Sequence, residues 1–154
     1  MASKQFENLP SNPTEAQGLL IKAIYKQFGK KALPIIKDVL KIQGRALGLK
    51  MKQKLQDTKL STIANAFTKS YDPKLVKIVT ISDEKFQIQG TRCPFGLENT
   101  SREVCEAVME IDREYFFTAS DGMTRLVIVK TIAVGDPICD TIYTTDKIWN
   151  YTMI

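Results

Sequence analysis

The sequence predicts an α+β domain in which an antiparallel sheet of about four strands, built from two hairpins, packs against helices. Three observations carry that prediction. Apolar residues recur at three-to-four spacing up to residue 71, then at a spacing of two over 76–90 and again over 126–145. Turn chemistry falls where the period changes, at Asp72-Pro73, at Ser82-Asp83-Glu84-Lys85 and at Gly135-Asp136-Pro137. One further helical stretch separates the two hairpins. The expected order is ααα-ββ-α-ββ, one domain over 1–154, with 1–12 and 146–154 as terminal segments.

The first helix is expected to start at Asn12 or Ser11, either of which can cap it, with Pro13 and Glu15 in its first turn. Leu19, Leu20, Ala23, Ile24 and Phe28 form its predicted apolar stripe, and Gly29 ends it. The second helix has Pro34 in its first turn and a less regular stripe of Ile35, Ile36, Val39, Leu40, Ala46, Leu47, Leu49 and Met51. Gly44 and Gly48, four apart, allow a close helix approach or a kink, and packing is the preferred reading. Ser61–Tyr71 forms a shorter helix with Ile63 and Phe67 on one side. The first hairpin follows and ends at Arg92-Cys93-Pro94, because proline cannot extend a ladder. Thr100 and Glu103 form a capping box at the head of the fourth helix. The second hairpin spans Leu126–Val134 and Ile138–Thr145, and the tail with Trp149 is expected to dock on the body.

Composition narrows the function classes. A 44% hydrophobic and 25% charged chain is ordinary for a globular domain. No apolar run reaches the roughly 18 residues that span a bilayer, and the polar N-terminus has no signal-peptide core. A cytoplasmic location, with no membrane partner, is the expectation. The charge is divided: residues 1–80 hold 15 Lys or Arg against 5 Asp or Glu, and residues 81–154 hold 7 against 12. Most basic residues of the first half sit singly between apolar residues at helical spacing, few aromatics lie among them, and Arg45 is the one arginine. That pattern reads as a solvated helix face rather than a nucleic-acid surface. Attraction between the halves, within one chain or in a homo-oligomer, is the other reading.

The chemistry-bearing stretch is Gly90–Thr145, which holds all three cysteines. An odd count argues against a secreted disulfide framework. Cys105 and Asp112 are seven apart, so on a helix they are separated by roughly 700° and share a face. A carboxylate on a sheet-facing side is costly unless paired, hydrogen-bonded, metal-bound or protonated. Asp112 either meets that condition inside or sits at the helix edge with Arg113, Arg125 or Arg92. Cys93 and Cys139 lie at strand ends, and pairing of the two hairpins would bring them together near the helix. Cys93, Cys105, Cys139 and Asp112 then read as three small buried hydrophobes and an edge carboxylate, as a reactive-thiol site, or as ligands for a divalent metal, zinc or manganese. The spacing has no C-x-x-C knuckle. The chain has no histidine, which excludes Ser-His-Asp and Cys-His catalysis within it, and neither common nucleotide-binding glycine motif occurs.

Arg92-Cys93-Pro94, then Cys105-x6-Asp112, then Ala133-x-Gly135-Asp136-x-x-Cys139-Asp140 resembles the L-2-amino-thiazoline-4-carboxylic acid hydrolase family. It is similar, more distantly, to the four-vinyl-reductase ligand-binding domain. The resemblance covers about a third of the chain. It implies a small domain with a pocket between helices and sheet. The hydrolase resemblance implies water attack on a cyclic C=N carbon, with Asp112 as base or metal ligand and Cys105 as nucleophile or ligand. Arg92 or Arg125 would hold the substrate carboxylate. The second resemblance implies a non-catalytic ligand-binding or sensory domain for an apolar small molecule.

Overall fold

A computed structural model describes residues 9–145. The expectations for Trp149 and the tail lie outside the described residues. Five helices and four strands appear in the order α1 (Pro13–Phe28), α2 (Leu33–Lys54), α3 (Leu60–Thr68), β1 (Val76–Ile81), β2 (Lys85–Gly90), α4 (Arg102–Val108), α5 (Glu110–Ala119), β3 (Thr124–Lys130) and β4 (Cys139–Thr145). Single 3-10 turns occupy Gly29–Ala32 and Ile132–Val134. The α+β class and the two hairpins are as expected. The fourth helix differs, because it is divided at Met109 into α4 and α5. The division is slight: the amide of Met109 donates to Cys105 at 2.8 Å, and that of Arg113 to Met109 at 2.9 Å, so hydrogen bonding runs through it.

Caps fix the helix starts. Asn12 Oδ1 accepts from the Glu15 amide at 2.9 Å, and Gly29 leaves α1 at φ +63°, where side-chain-bearing residues are strained. The cap of α4 is Ser101, whose hydroxyl accepts from the Val104 amide at 3.1 Å. The expected Thr100–Glu103 box is therefore not formed. Thr100 instead donates to the Leu97 carbonyl at 2.6 Å, and Glu103 pairs with Lys30 at 3.5 Å.

The buried faces of α1 and α2 follow the apolar spacing only in part: Ile36 and Leu40 are buried as expected, and Ile24 and Met51 pack partly buried against the core. Leu19, Leu20, Phe28, Ile35, Val39, Leu47 and Leu49 are exposed, whereas α1 buries Gly18 and Ile21 and α2 buries Ile36, Leu40, Gly44 and Gly48. Glycine decides the contact. A β-carbon at Gly44 would stand 2.2 Å from the Ile111 carbonyl oxygen, and one at Gly48 would stand 2.6 Å from that of Tyr115. Helix α2 thus lies directly on the backbone of α5. Gly18 is tighter still against the loop after β2, with 1.7 Å between a built β-carbon and the Phe95 carbonyl oxygen.

The sheet order is β1-β2-β4-β3, all antiparallel. The two hairpins join through β2 and β4, with Gly90 opposite Cys139 and Phe86 opposite Tyr143. The inner face carries Phe86, Leu126, Ile128 and Tyr143, all buried under the helices. Helices α4 and α5 are tied to the edge strand β3 by charge-assisted bonds. Arg102 donates to the Ile128 carbonyl at 2.6 Å and Arg113 to that of Leu126 at 2.9 Å. These bonds satisfy an otherwise open sheet edge and hold the Cys105–Asp112 segment above β4. Among the described residues no helix is long and apolar enough to cross a membrane.

Candidate functional site

A cavity of about 340 Å³ lies between α4, α5 and the inner face of β2 and β4, closed on one side by the Thr91–Thr100 loop. Its size is within the range of small-molecule sites, about 300–1,000 Å³. Asp112, Cys93, Cys105 and Cys139 all line it, and Arg92 stands among the lining residues with its side chain largely exposed. The β2–β4 register produces this convergence. It sets Cys139 beside Gly90, and three residues later the chain turns at Cys93 under α4. Apolar walls come from Ile88, Val108, Met109 and Ile111, and aromatic ones from Phe67, Tyr71 and Tyr143. A surface groove of about 450 Å³ adjoins the cavity and shares Thr14, Tyr71, Val76, Arg92 and Pro94 with it.

Asp112 is half-buried and faces the cavity. The Tyr143 hydroxyl donates to its Oδ2 at 3.3 Å, and among the described residues it forms no ion pair. Burial raises its pKa to about 6, an effect that the Tyr143 hydrogen bond opposes. Each arginine considered as its partner is engaged elsewhere. Arg113 pairs with Glu110 at 2.9 Å, Arg92 with Glu15 at 3.0 Å, and Arg125 stacks its guanidinium 5.4 Å from the Phe117 ring centre. Arg125 points away from the cavity, because Thr124, Leu126 and Ile128 take the inward positions of β3. It lines a different depression with Lys41, Arg45 and Glu114.

Burial holds Cys93 and Cys105 as thiols. Cys105 is buried, its sulfur accepts from the Thr131 hydroxyl at 3.2 Å, and burial pushes its pKa up to about 11. Burial also raises Cys93. The Cys139 sulfur accepts from the Ile132 amide at 3.5 Å. All three are free cysteines. Among the described residues no three Cys, Asp or Glu side chains are grouped so as to hold a metal ion. The remaining residues of the Ala133–Asp140 motif shape the backbone. Gly135 has φ +93°, Asp136 accepts from the Thr131 amide at 2.9 Å, and buried Asp140 accepts from Gln87 at 2.9 Å and Gln89 at 3.2 Å.

Sequence reasoning missed the aromatic wall and Thr131. Tyr143 was within reach of it, since Cys139, Thr141 and Tyr143 alternate onto one face of β4. Phe67 and Tyr71 arrive from α3 and the turn after it, a tertiary contact with no local signal. They extend a cluster in which Phe67 lies 5.4 Å from Tyr71 and 4.9 Å from Phe116, and Phe116 lies 4.2 Å from Tyr143, between ring centres.

No family model matches the chain, and no curated protein matches it. Solved structures do share its fold. A trafficking protein particle complex subunit 3 from Naegleria fowleri, described as covalently bound to palmitic acid, superposes with a TM-score of 0.56 at 12% identity. That match covers 86% of this chain and 95% of the other. The phenol-responsive sensory domain of the transcription activator PoxR, solved with phenol, matches at a TM-score of 0.49 and 11% identity, covering 92% of this chain and 78% of the other. The trafficking-subunit match places this chain in a known α+β fold. At such identity it says nothing of activity.

Proposed function

We propose that this chain is a ligand-binding or sensory domain that takes an apolar small molecule into the cavity between α4, α5 and the sheet. The cavity itself carries this reading: a space of about 340 Å³ with mostly aliphatic and aromatic walls and few polar groups. Such a composition suits a binding pocket. The shared fold supports the more distant sequence resemblance, the four-vinyl-reductase type of domain. The trafficking subunit's covalent palmitic acid makes a long acyl chain one of the apolar ligands to test here. A hydrolase would need an activated nucleophile beside a proton donor. Cys105 with a pKa near 11 is protonated at neutral pH, and Asp112 is directed at Tyr143 rather than at a thiol.

The test is fluorescence of an uncharged naphthyl probe, N-phenyl-1-naphthylamine, titrated with the full chain. Saturable enhancement is expected, with competition by small hydrocarbons or acyl chains. Ile88 lines the cavity wall, so Ile88→Trp should abolish the enhancement while the thermal transition stays cooperative. Enhancement that is absent, or that survives this filling, removes the proposal.

A further inference from the structure

Among the described residues lining the cavity Asp112 is the one acidic side chain, and the one basic residue there, Arg92, is already paired with Glu15 at 3.0 Å. Among the described residues Tyr143 is the single hydrogen-bond donor to Asp112, through Oδ2. A carboxyl group in an apolar space normally has a cation or several donors around it, because an uncompensated buried charge is strongly unfavourable. Here the protein leaves that position on the cavity side without one. The surroundings are also suited to a cation. The rings of Phe67, Tyr71 and Tyr143 line the same cavity, and aromatic faces attract ammonium groups. In the adjoining groove the charges of Glu15 and Arg92 pair with each other, and Asp72 leaves the approach to the cavity with an acidic excess of one.

From this geometry we infer that the ligand is an apolar or aromatic amine, whose ammonium group pairs with Asp112 and whose hydrocarbon body fills the aliphatic end of the cavity. The inference rests on the ligand-binding reading above and names its ligand class. An ammonium supplies both the missing counter-charge and the missing donors, and a body of one ring fits beside Ile88 and Val108. A carboxylate ligand would instead set two negative charges against each other at Asp112. A neutral alcohol would supply a donor and no charge.

The experiment displaces the naphthyl probe from the full wild-type chain at pH 7.5 with three ligands of one shape: cyclohexylmethylamine, cyclohexylmethanol and cyclohexanecarboxylate. The amine is expected to bind at least about tenfold more tightly than the alcohol, and the carboxylate most weakly. The isosteric Asp112→Asn chain should retain the probe and lose the preference for the amine. Equal binding of amine and alcohol, or tightest binding of the carboxylate, overturns the amine inference and leaves the cavity reading standing. Failure of the probe and all three ligands to bind overturns both. The ligand series on the wild-type chain decides the matter even if Asp112→Asn does not fold.

Discussion

The Tyr143 hydroxyl of β4 reaches across the cavity to Asp112 of α5 at 3.3 Å, a polar contact between sheet and helix layer in apolar surroundings. Both residues are displaced from their ordinary titration. Asp112 is raised to about 6, and Tyr143 is raised well above its usual value, by burial first and then by the negative charge of Asp112. The pair therefore contributes to how the stability of the domain depends on pH.

Asp112 should lower stability as pH rises. Its folded pKa, about 6, is above the ordinary 3.8, so the folded state holds the proton more tightly than the unfolded chain. The stabilisation from that proton is complete below about pH 4 and is lost as pH climbs through 6. A two-unit shift corresponds to about 2–3 kcal/mol. Urea unfolding of the wild type and of Asp112→Asn between pH 4 and 7.5 should therefore diverge, the wild type losing stability relative to the variant. Parallel curves would show that the folded chain does not raise the Asp112 titration.

Tyr143→Phe removes the one donor to Asp112 and keeps the stacking with Phe86 and Phe116, whose ring centres lie 5.0 and 4.2 Å away. The loss should be about 1–2 kcal/mol at pH 7.5, where the carboxyl is charged, and less at pH 4.5, where it is neutral. Because the hydrogen bond favours the charged form, its loss should also move the Asp112 titration upward. Carboxyl-region NMR of the labelled protein reads that shift. A loss that is the same at both pH values would assign the role of the hydroxyl to something other than Asp112.

How much of this was legible in the sequence depends on the range of the interaction. The hairpins and the Asn12 and Gly29 boundaries follow from local periodicity and turn chemistry, and they appear where expected. The convergence of Cys93, Cys105, Cys139 and Asp112 needed the β2–β4 pairing, which sequence periodicity permits without requiring. Ile36 and Leu40 were legible as core and Gly44 and Gly48 as a close approach, but the exposure of Leu19, Leu20, Ile35 and Val39 was not, because a hydrophobicity pattern ranks large apolar side chains above Gly18, Gly44 and Gly48. In the fold they are the closest contacts, since absence of a side chain is what lets backbone meet backbone. Arg125 was placed at the site by its type. The alternation of Thr124, Leu126 and Ile128 already turned it outward.

Gly44→Ala should be among the most destabilising single substitutions in the chain. A β-carbon 2.2 Å from the Ile111 carbonyl oxygen meets backbone, which cannot rotate away, so α2 must lift from α5. Overpacking of this kind costs about 3 kcal/mol or more. On the same helix, Ile42→Ala removes an exposed side chain, 69% accessible, and should change stability by less than about 0.5 kcal/mol. Thermal unfolding of the two variants checks the contrast. The Asp112 segment rides on the same contact, so Gly44→Ala should also weaken probe binding.

Cys105 should be the slow thiol. With its pKa raised from 9.0 to about 11, its thiolate fraction at pH 7.5 is about a hundredfold below that of an unperturbed cysteine, and burial slows it further. Iodoacetamide labelling read by peptide mass spectrometry should leave Cys105 almost unmodified in the folded chain and modify it readily in urea. Its rate should rise steadily with pH up to about 11, and should fall again when the cavity is occupied by the naphthyl probe. Rapid labelling of Cys105 at pH 7.5 in the folded chain would mean a thiolate held by a neighbouring positive charge. That outcome would return the residue to consideration as a nucleophile.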